Sequence, residues 1–365
     1  MNTAAKKRVL HLPSWRGANP YQNLLGSGIE RAGWQCDFAN FEKGLLPLRA
    51  TLARHGKPDV VHLHWIAPLI EPILWSGSAL SSWIKLLLLA LDVYWLRTRG
   101  VRVVWTWHNL VSHESRHARR ERRARRVLAA CVNRILFHSA SARETVQNLY
   151  ALHLAEKSTI APHGSYIGVY QQDPQIRETL RRRFRLADDD LVVLYFGTLR
   201  AYKGISELLG AFAATNNPRL KLIVAGKPYG EALLHELQGQ IDRDPRAHLY
   251  PQHVPDQEVA ALFSLASVVA IPFQRTLSSG SVILALSLGK ALLLSDQARV
   301  LDVVDDEGTL FFADSVQLAQ MLDTLPNQDL SKMGQHNLDL ARDLDWDKIG
   351  RIITAVYTAN PRNPS

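Results

Sequence analysis

Leu191–Ala213, LVVLYFGTLRAYKGISELLGAFA, decides how the rest of the chain is read. An apolar strand, Leu191–Phe196, ends at Gly197. Arg200 and Lys203 follow, then Gly204, then a helix with Leu208, Leu209 and Phe212 on one face. Two cations at the carboxyl end of a strand, beside a helix N-terminus, suit a doubly charged phosphate group. The bracketing glycines favour that reading over a merely solvated basic loop.

Composition sets the bounds. A chain of 365 residues is too long for one ordinary core and predicts two domains. With 47% hydrophobic and 21% charged residues it reads as globular, not disordered. Cys36 and Cys131 lie in apolar surroundings without metal-ligand spacing, which fits a reduced cytosolic setting. No signal peptide is expected from the basic start, whose short apolar segment is broken by His11. The net charge of +9 is unevenly placed. Residues 1–165 hold 23 Lys and Arg against 10 Asp and Glu; the remainder hold 20 against 24. The basic half therefore points to an anionic surface, membrane or nucleic acid.

Working outward, strands and helices alternate. Strands are predicted at Arg8–Leu12, Pro58–Leu63, Val101–Thr106, Arg134–Phe137 and Ser158–Ala161 in the first half. In the second they fall at Leu191–Phe196, Leu220–Ala225, Val268–Ile271, Ala291–Leu294 and Thr309–Phe312. Asn19 and Pro20 mark a helix start, with the helix running to Ala32. Asp256–Ala266 and Ser281–Leu288 read as helices, as does the tail at Trp346–Tyr357. The predicted fold is α/β, with two βαβ domains joined near residues 164–174: residues 1–168, residues 169–340, and a closing helix in 341–365, whose crossing back to the first domain is an expectation by analogy alone.

Two surface features stand out in the first half. Trp83–Leu96 (WIKLLLLALDVYWL) is apolar but interrupted by Lys85 and Asp92, so it falls short of a span of roughly 18–20 apolar residues. It reads either as a core helix or as one lying in a membrane interface. Arg116–Arg126 (RHARRERRARR) packs seven arginines and one glutamate into eleven residues. Beside the tryptophan-bearing run, this favours a grip on anionic headgroups through Trp83, Arg119, Arg120, Arg122, Arg123 and Arg126. No nucleic-acid motif accompanies it, so nucleic acid is not the expected partner.

The chemistry-bearing groups follow strand ends. The first domain offers the loop Ser14–Asn19 with Gly17, the pair His62 and His64, and Trp107-His108-Asn109 leading to Glu114. The second offers Arg200 and Lys203, Gly226 through Tyr229, and Ser278-Ser279-Gly280-Ser281 ahead of a helix, a second anion cradle of small residues. His62 and His64 invite a metal, but no third ligand stands at recognisable spacing, so no metal is expected. Asp188-Asp189-Asp190 precedes a strand and reads as a turn.

Together these elements resemble the GT-B glycosyltransferases, two Rossmann-like domains flanking a nucleotide-sugar cleft, over nearly the whole chain. Gly197–Gly204 is similar to that group's diphosphate-binding G-x-x-R-x-x-K-G element, and Val224–Pro228 to its V-x-G-x-G/P strand end. Val254–Val268 is similar to a run whose start lies against the nucleotide base. Thr106–Asn109 is similar to a T-x-H-D/N turn whose histidine meets the donor sugar. Retaining members carry Glu-x7-Glu where this chain has Thr276–Leu284, with neither glutamate. That departure, with TWHNLVSHES, resembles bacterial exopolysaccharide β-mannosyltransferases.

The resemblance implies an inverting transfer, and because two cations and a helix terminus would neutralise the departing charge, no metal or other cofactor is expected. The sugar would pass from a nucleotide-sugar donor, GDP-mannose, to a lipid-linked, polyprenyl-diphosphate oligosaccharide at the cytoplasmic face of the bacterial inner membrane. Expected donor-binding residues are Gly17, Arg200, Lys203, Gly226, Tyr229, Val254, Ser279, Gly280 and Ser281. Inversion needs one general base, for which Glu114 is the first choice and His108 the second. A retaining transferase using a UDP-sugar, a sugar-nucleotide epimerase and a non-catalytic GT-B partner subunit are the alternatives.

Overall fold

The computed structural model describes residues 6–17, 19–111 and 117–359. The chain forms two compact units, one running to Gly164 and resuming at Asp345, the other spanning Ser165–Leu344. The boundaries expected at 168 and 340 thus fall at 164 and 344.

In the first unit the order is β1 (Arg8–Leu12), α1 (Tyr21–Arg31), β2 (Gln35–Phe38), α2 (Pro47–His55), β3 (Val60–Leu63), α3 (Ala67–Leu74), α4 (Ala79–Thr98), β4 (Arg102–Thr106), α5 (Ala118–Cys131), β5 (Arg134–Phe137), α6 (Ala140–Tyr150) and β6 (Ser158–Ile160). Among the described residues the strands make one parallel sheet in the order β2-β1-β3-β4-β5-β6. Both faces are covered, so β3 is buried throughout and β4 is buried beyond Arg102. Val9, Val60, Val104, Leu136 and Ala161 form one face, under Tyr21, Leu25 and Ile29 of α1. At its start, α1 takes Pro20 as the capping residue, while the Asn19 side chain accepts the Tyr21 N–H at 2.8 Å.

The second unit follows α7 (Pro174–Arg183), β7 (Leu191–Phe196), α8 (Ile205–Ala213), β8 (Leu220–Ala225), α9 (Glu231–Ile241), β9 (Ala247–Tyr250), α10 (Asp256–Leu265), β10 (Val268–Ile271), α11 (Gly280–Ser287), β11 (Ala291–Ser295), β12 (Thr309–Phe312), α12 (Ser315–Thr324) and α13 (Leu330–Arg342). Its described strands pair in the order β12-β11-β10-β7-β8-β9, again all parallel. Parallel strands need a crossover between them, and that crossover leaves the carboxyl ends on one edge where loops collect.

The last helix, α14 (Trp346–Thr358), belongs to the first unit. Trp346, Ile349, Ile353, Val356 and Tyr357 join the α1 face of the core. Burying each aliphatic side chain is worth about 1.5–3 kcal/mol. Two glycines let the helix backbones meet: a methyl on Gly28 would strike the Trp346 carbonyl, and one on Gly350 the Gly28 carbonyl. The tail is therefore core structure of the first unit, not an appendage.

Candidate active site

On the second unit, β7 and β8 end at Gly197 and Gly226. A Cβ on Gly226 would fall on the Gly197 carbonyl, so only glycine permits this approach of strand ends. At Gly197 a Cβ would sit 2.7 Å from Ser281 Oγ and 3.5 Å from Lys203 Nζ. Three elements thus converge on one point: the end of β7, the turn carrying Lys203, and the start of α11. Ser279 caps α11 by accepting the Val282 N–H at 3.3 Å, which leaves the first amides of that helix facing outward from its N-terminus. Burial, then the Arg200 charge, lowers the Lys203 ammonium to about 8. Among the described residues no carboxylate lies within ion-pair distance of it. Such a cation is stabilised by an arriving anion. The Arg200 guanidinium stacks 4.2 Å over the Tyr229 ring, which is itself exposed. Leu199 and Tyr229 hold the two loops together through Leu199 N–H to Lys227 O and Tyr229 N–H to Leu199 O, both 3.0 Å. Val254, expected against a nucleotide base, is 4% exposed and packs inside the unit.

The first unit carries a different edge. Histidines occupy the ends of five adjacent strands: His11 on β1, His62 and His64 on or after β3, then His108, His138 and His163 beyond β4, β5 and β6. His11 Nδ1 meets His64 Nε2 at 2.9 Å, His64 Nδ1 meets His108 Nε2 at 3.3 Å, and His108 Nδ1 meets His138 Nε2 at 3.2 Å. His138 Nδ1 donates to the Ala161 carbonyl at 2.9 Å. His62 lies between the Tyr357 and Thr106 hydroxyls at 2.6 and 2.7 Å. Desolvation leads the causes that hold all six rings neutral, with His11 and His163 lowered to about 3 and His138 to about 4. Tyr21 of α1 stands edge-on to His64, His108 and His138. Trp15 stacks on Trp65 at 4.7 Å, and Trp65 on His108 at 4.6 Å.

His11, His62 and His64 have nitrogens within 4.8 Å of one another, the grouping a transition metal would use. Their rings lie stacked or tilted, and His62 and His64 spend both nitrogens on neighbouring groups. His11 and His64 are hydrogen-bonded to each other, while His62 is held by the two hydroxyls.

Residues 176–331 match the family model for glycosyl transferases group 1. The chain is 28% identical over 351 residues to GDP-mannose:glycolipid 4-beta-D-mannosyltransferase of Xanthomonas campestris pv. campestris, covering 93% of this chain and 88% of the relative. A shorter stretch, 40% of this chain and 41% of the relative, is 30% identical to lipopolysaccharide 1,2-N-acetylglucosaminetransferase of Salmonella typhimurium. Among solved structures, Anabaena HepE with UDP and glucose superposes with a TM-score of 0.74 at 16% identity, over 95% of this chain and 98% of that one. Sucrose-phosphate synthase of Thermosynechococcus elongatus gives 0.72, also at 16% identity, over 96% and 98%. The chain carries a glycosyl transferases group 1 domain, and its two-unit α/β fold is that of the GT-B structures.

Of the residues expected in this glycosyltransferase's donor site, the structure brings Arg200, Lys203, Gly226, Tyr229 and Ser279–Ser281 to one edge of the second unit. Gly17 belongs to the first unit, and among the described residues nothing stands within 4 Å of where its side chain would be. Glu114 lies outside the described residues. His11, His138 and His163 were missed by sequence reasoning. The available signal was their parity, since each continues the core-facing side of its strand one step past the apolar residues.

The glycosyltransferase also carries an unusual outer surface. On α4, Leu80, Trp83, Ile84, Leu87, Leu91 and Tyr94 recur at helical spacing and are all at least half exposed. By length and composition this helix could cross a membrane. The charges that interrupt the run do not face outward with them. Asp92 is buried and caps α2, accepting the Leu48 and Arg49 N–H groups at 2.8 and 2.9 Å, and burial lifts its carboxyl to about 6. Lys85 donates to the Pro72 carbonyl at 2.8 Å. The arginine run on α5 divides as well. Arg119, Arg122, Arg123 and Arg126 are exposed, and Arg123 lies 5.1 Å over the Trp83 ring. Arg120, expected among the lipid-facing group, instead donates to the Leu74 and Ser76 carbonyls at the end of α3. Arg125 is buried against Glu121, 2.8 Å away.

Proposed function

We propose that the protein is an inverting mannosyltransferase that moves mannose from GDP-mannose to a polyprenyl-diphosphate-linked oligosaccharide in exopolysaccharide synthesis. The observation that carries the donor half is Lys203, a desolvated ammonium set beside Gly197 and Ser281. Arg200, Lys203 and the first amides of α11 neutralise the departing diphosphate, without a metal or other cofactor. Donor sugar and acceptor class follow the Xanthomonas relative's name, the likeness that extends over nearly the whole chain. The base comes from the first unit. Glu114 is one candidate; our reading is His108, a neutral ring whose two nitrogens sit in a hydrogen-bonded row. The acceptor hydroxyl proton passes to His108 Nε2, the acceptor oxygen bonds to the anomeric carbon, and the C–O bond to GDP breaks with its electron pair on the diphosphate.

The enzyme works as a peripheral protein on the cytoplasmic face of the inner membrane. The apolar stripe of α4 enters the acyl boundary and the exposed arginines of α5 meet anionic headgroups, each worth about 1 kcal/mol near the surface.

Two measurements test these halves. In a thermal-shift panel of GDP, UDP, ADP and their sugar conjugates, GDP-mannose at about a hundred times its Kd should stabilise by roughly 2.7 kcal/mol. The shift should vanish in Arg200→Ala/Lys203→Ala, and the product from glycolipid acceptor should be the β-anomer. A UDP-specific shift or an α-linked product overturns the assignment. Sedimentation with anionic vesicles should carry the protein down, and Trp83→Glu/Leu87→Glu should leave it in the supernatant; equal sedimentation of both would remove the membrane role.

A further inference from the structure

The histidine row has a direction. A carbonyl oxygen only accepts, so the 2.9 Å contact to Ala161 O requires the proton of neutral His138 on Nδ1. Its Nε2 is then an acceptor, and the 3.2 Å bond from His108 places the His108 proton on Nδ1. The same logic continues: His108 Nε2 accepts from His64 Nδ1–H, and His64 Nε2 from His11 Nδ1–H. It terminates at His11 Nε2, a fully buried atom with no hydrogen-bond partner among the described residues. An unsatisfied lone pair at that end is what the order demands, because reversing any one ring would set two N–H groups or two lone pairs against each other. The backbone of one strand therefore dictates the proton position on four side chains.

We propose that His138 is a positioning residue that fixes His108 in the Nδ1–H tautomer, referenced to the Ala161 carbonyl, so that Nε2 is the basic atom of the His108 ring. This rests on the reading of His108 as the base. The arrangement follows the logic in which a catalytic imidazole is oriented by a third group. The opposite contact, His64 Nδ1–H to His108 Nε2, is the longest of the three inter-ring bonds at 3.3 Å, and is the one an acceptor hydroxyl would replace.

Two variants separate order from shape. In His138→Gln the amide can donate to Ala161 O and accept from His108 Nδ1–H, preserving the sequence of donors and acceptors. In His138→Phe the ring shape stays but both bonds are lost. Nitrogen-15 NMR of the full chain, labelled at histidine, reads the His108 tautomer directly. Nδ1–H should persist in wild type and His138→Gln, and should give way to Nε2–H or a mixture in His138→Phe. Turnover should fall about a hundredfold or more in His138→Phe, with KM for GDP-mannose unchanged, and only a few-fold in His138→Gln. A His108 ring that remains Nδ1–H in His138→Phe overturns the proposal. So does equal loss of turnover in both variants when both unfold at the wild-type temperature. If wild type turns over no GDP-mannose, the functional reading fails, while the tautomer measurement still decides the positioning role.

Discussion

The two sheets present the same structural edge and opposite chemistry. In the first unit the strand ends carry uncharged imidazoles that spend their nitrogens on one another, on hydroxyls and on carbonyls. In the second they carry Arg200 and Lys203 beside a helix N-terminus. Burial acts on both, but with different results. It drives the histidines to the neutral form at neutral pH, while Lys203, held to about 8, keeps most of its charge. One edge carries neutral rings in a hydrogen-bonded row, the other two cations beside a helix N-terminus; in the function proposed above the first orients protons and the second holds an anion.

Acid should break this symmetry most strongly. An unfolded histidine protonates near 6.5, whereas His11 in the fold resists until about 3. Between those values the unfolded chain binds more protons, so stability falls as pH falls. For a ring like His11 the loss at pH 5 is about 2 kcal/mol. With several such rings, calorimetry should show the first unit's transition dropping on the order of 20 °C between pH 7 and pH 5. The second unit's transition should move much less. A first-unit transition that stays in place between pH 7 and pH 5 would show that the row does not govern acid stability.

How far the sequence disclosed this architecture follows from burial. β1, β5, β7, β8 and β10 match their predicted spans residue for residue, because interior parallel strands read as largely apolar runs, and the edge strand β12 matches because TLFF is itself apolar. β2 and β9 were not among the predicted strands. Both are sheet edges, half covered, with mixed sequences QCDF and AHLY. The cation loop was legible because its residues are contiguous. The histidine row was not, since His11, His64, His108 and His138 become neighbours only when the sheet order is known. The arginine run looked uniform in sequence, yet helical periodicity turns Arg125 inward and Arg123 outward.

The smaller test sharpens the other side of the comparison. In the free protein the Lys203 ammonium titrates near 8, and a bound diphosphate favours its charged form. Below pH 8 the lysine is already protonated, so GDP-mannose affinity should be level through neutral pH. Above 8 binding must also take up a proton, and affinity should decline by up to about tenfold per pH unit. Lys203→Arg supplies a cation that does not titrate in this range, so its affinity should stay level to pH 9.5 even if its absolute value is lower. Calorimetric titration from pH 7 to 9.5 reads both profiles, and the buffer dependence of the heat reports the proton taken up. A flat wild-type profile would place the diphosphate away from Lys203. A decline retained in Lys203→Arg would assign the titration to another group.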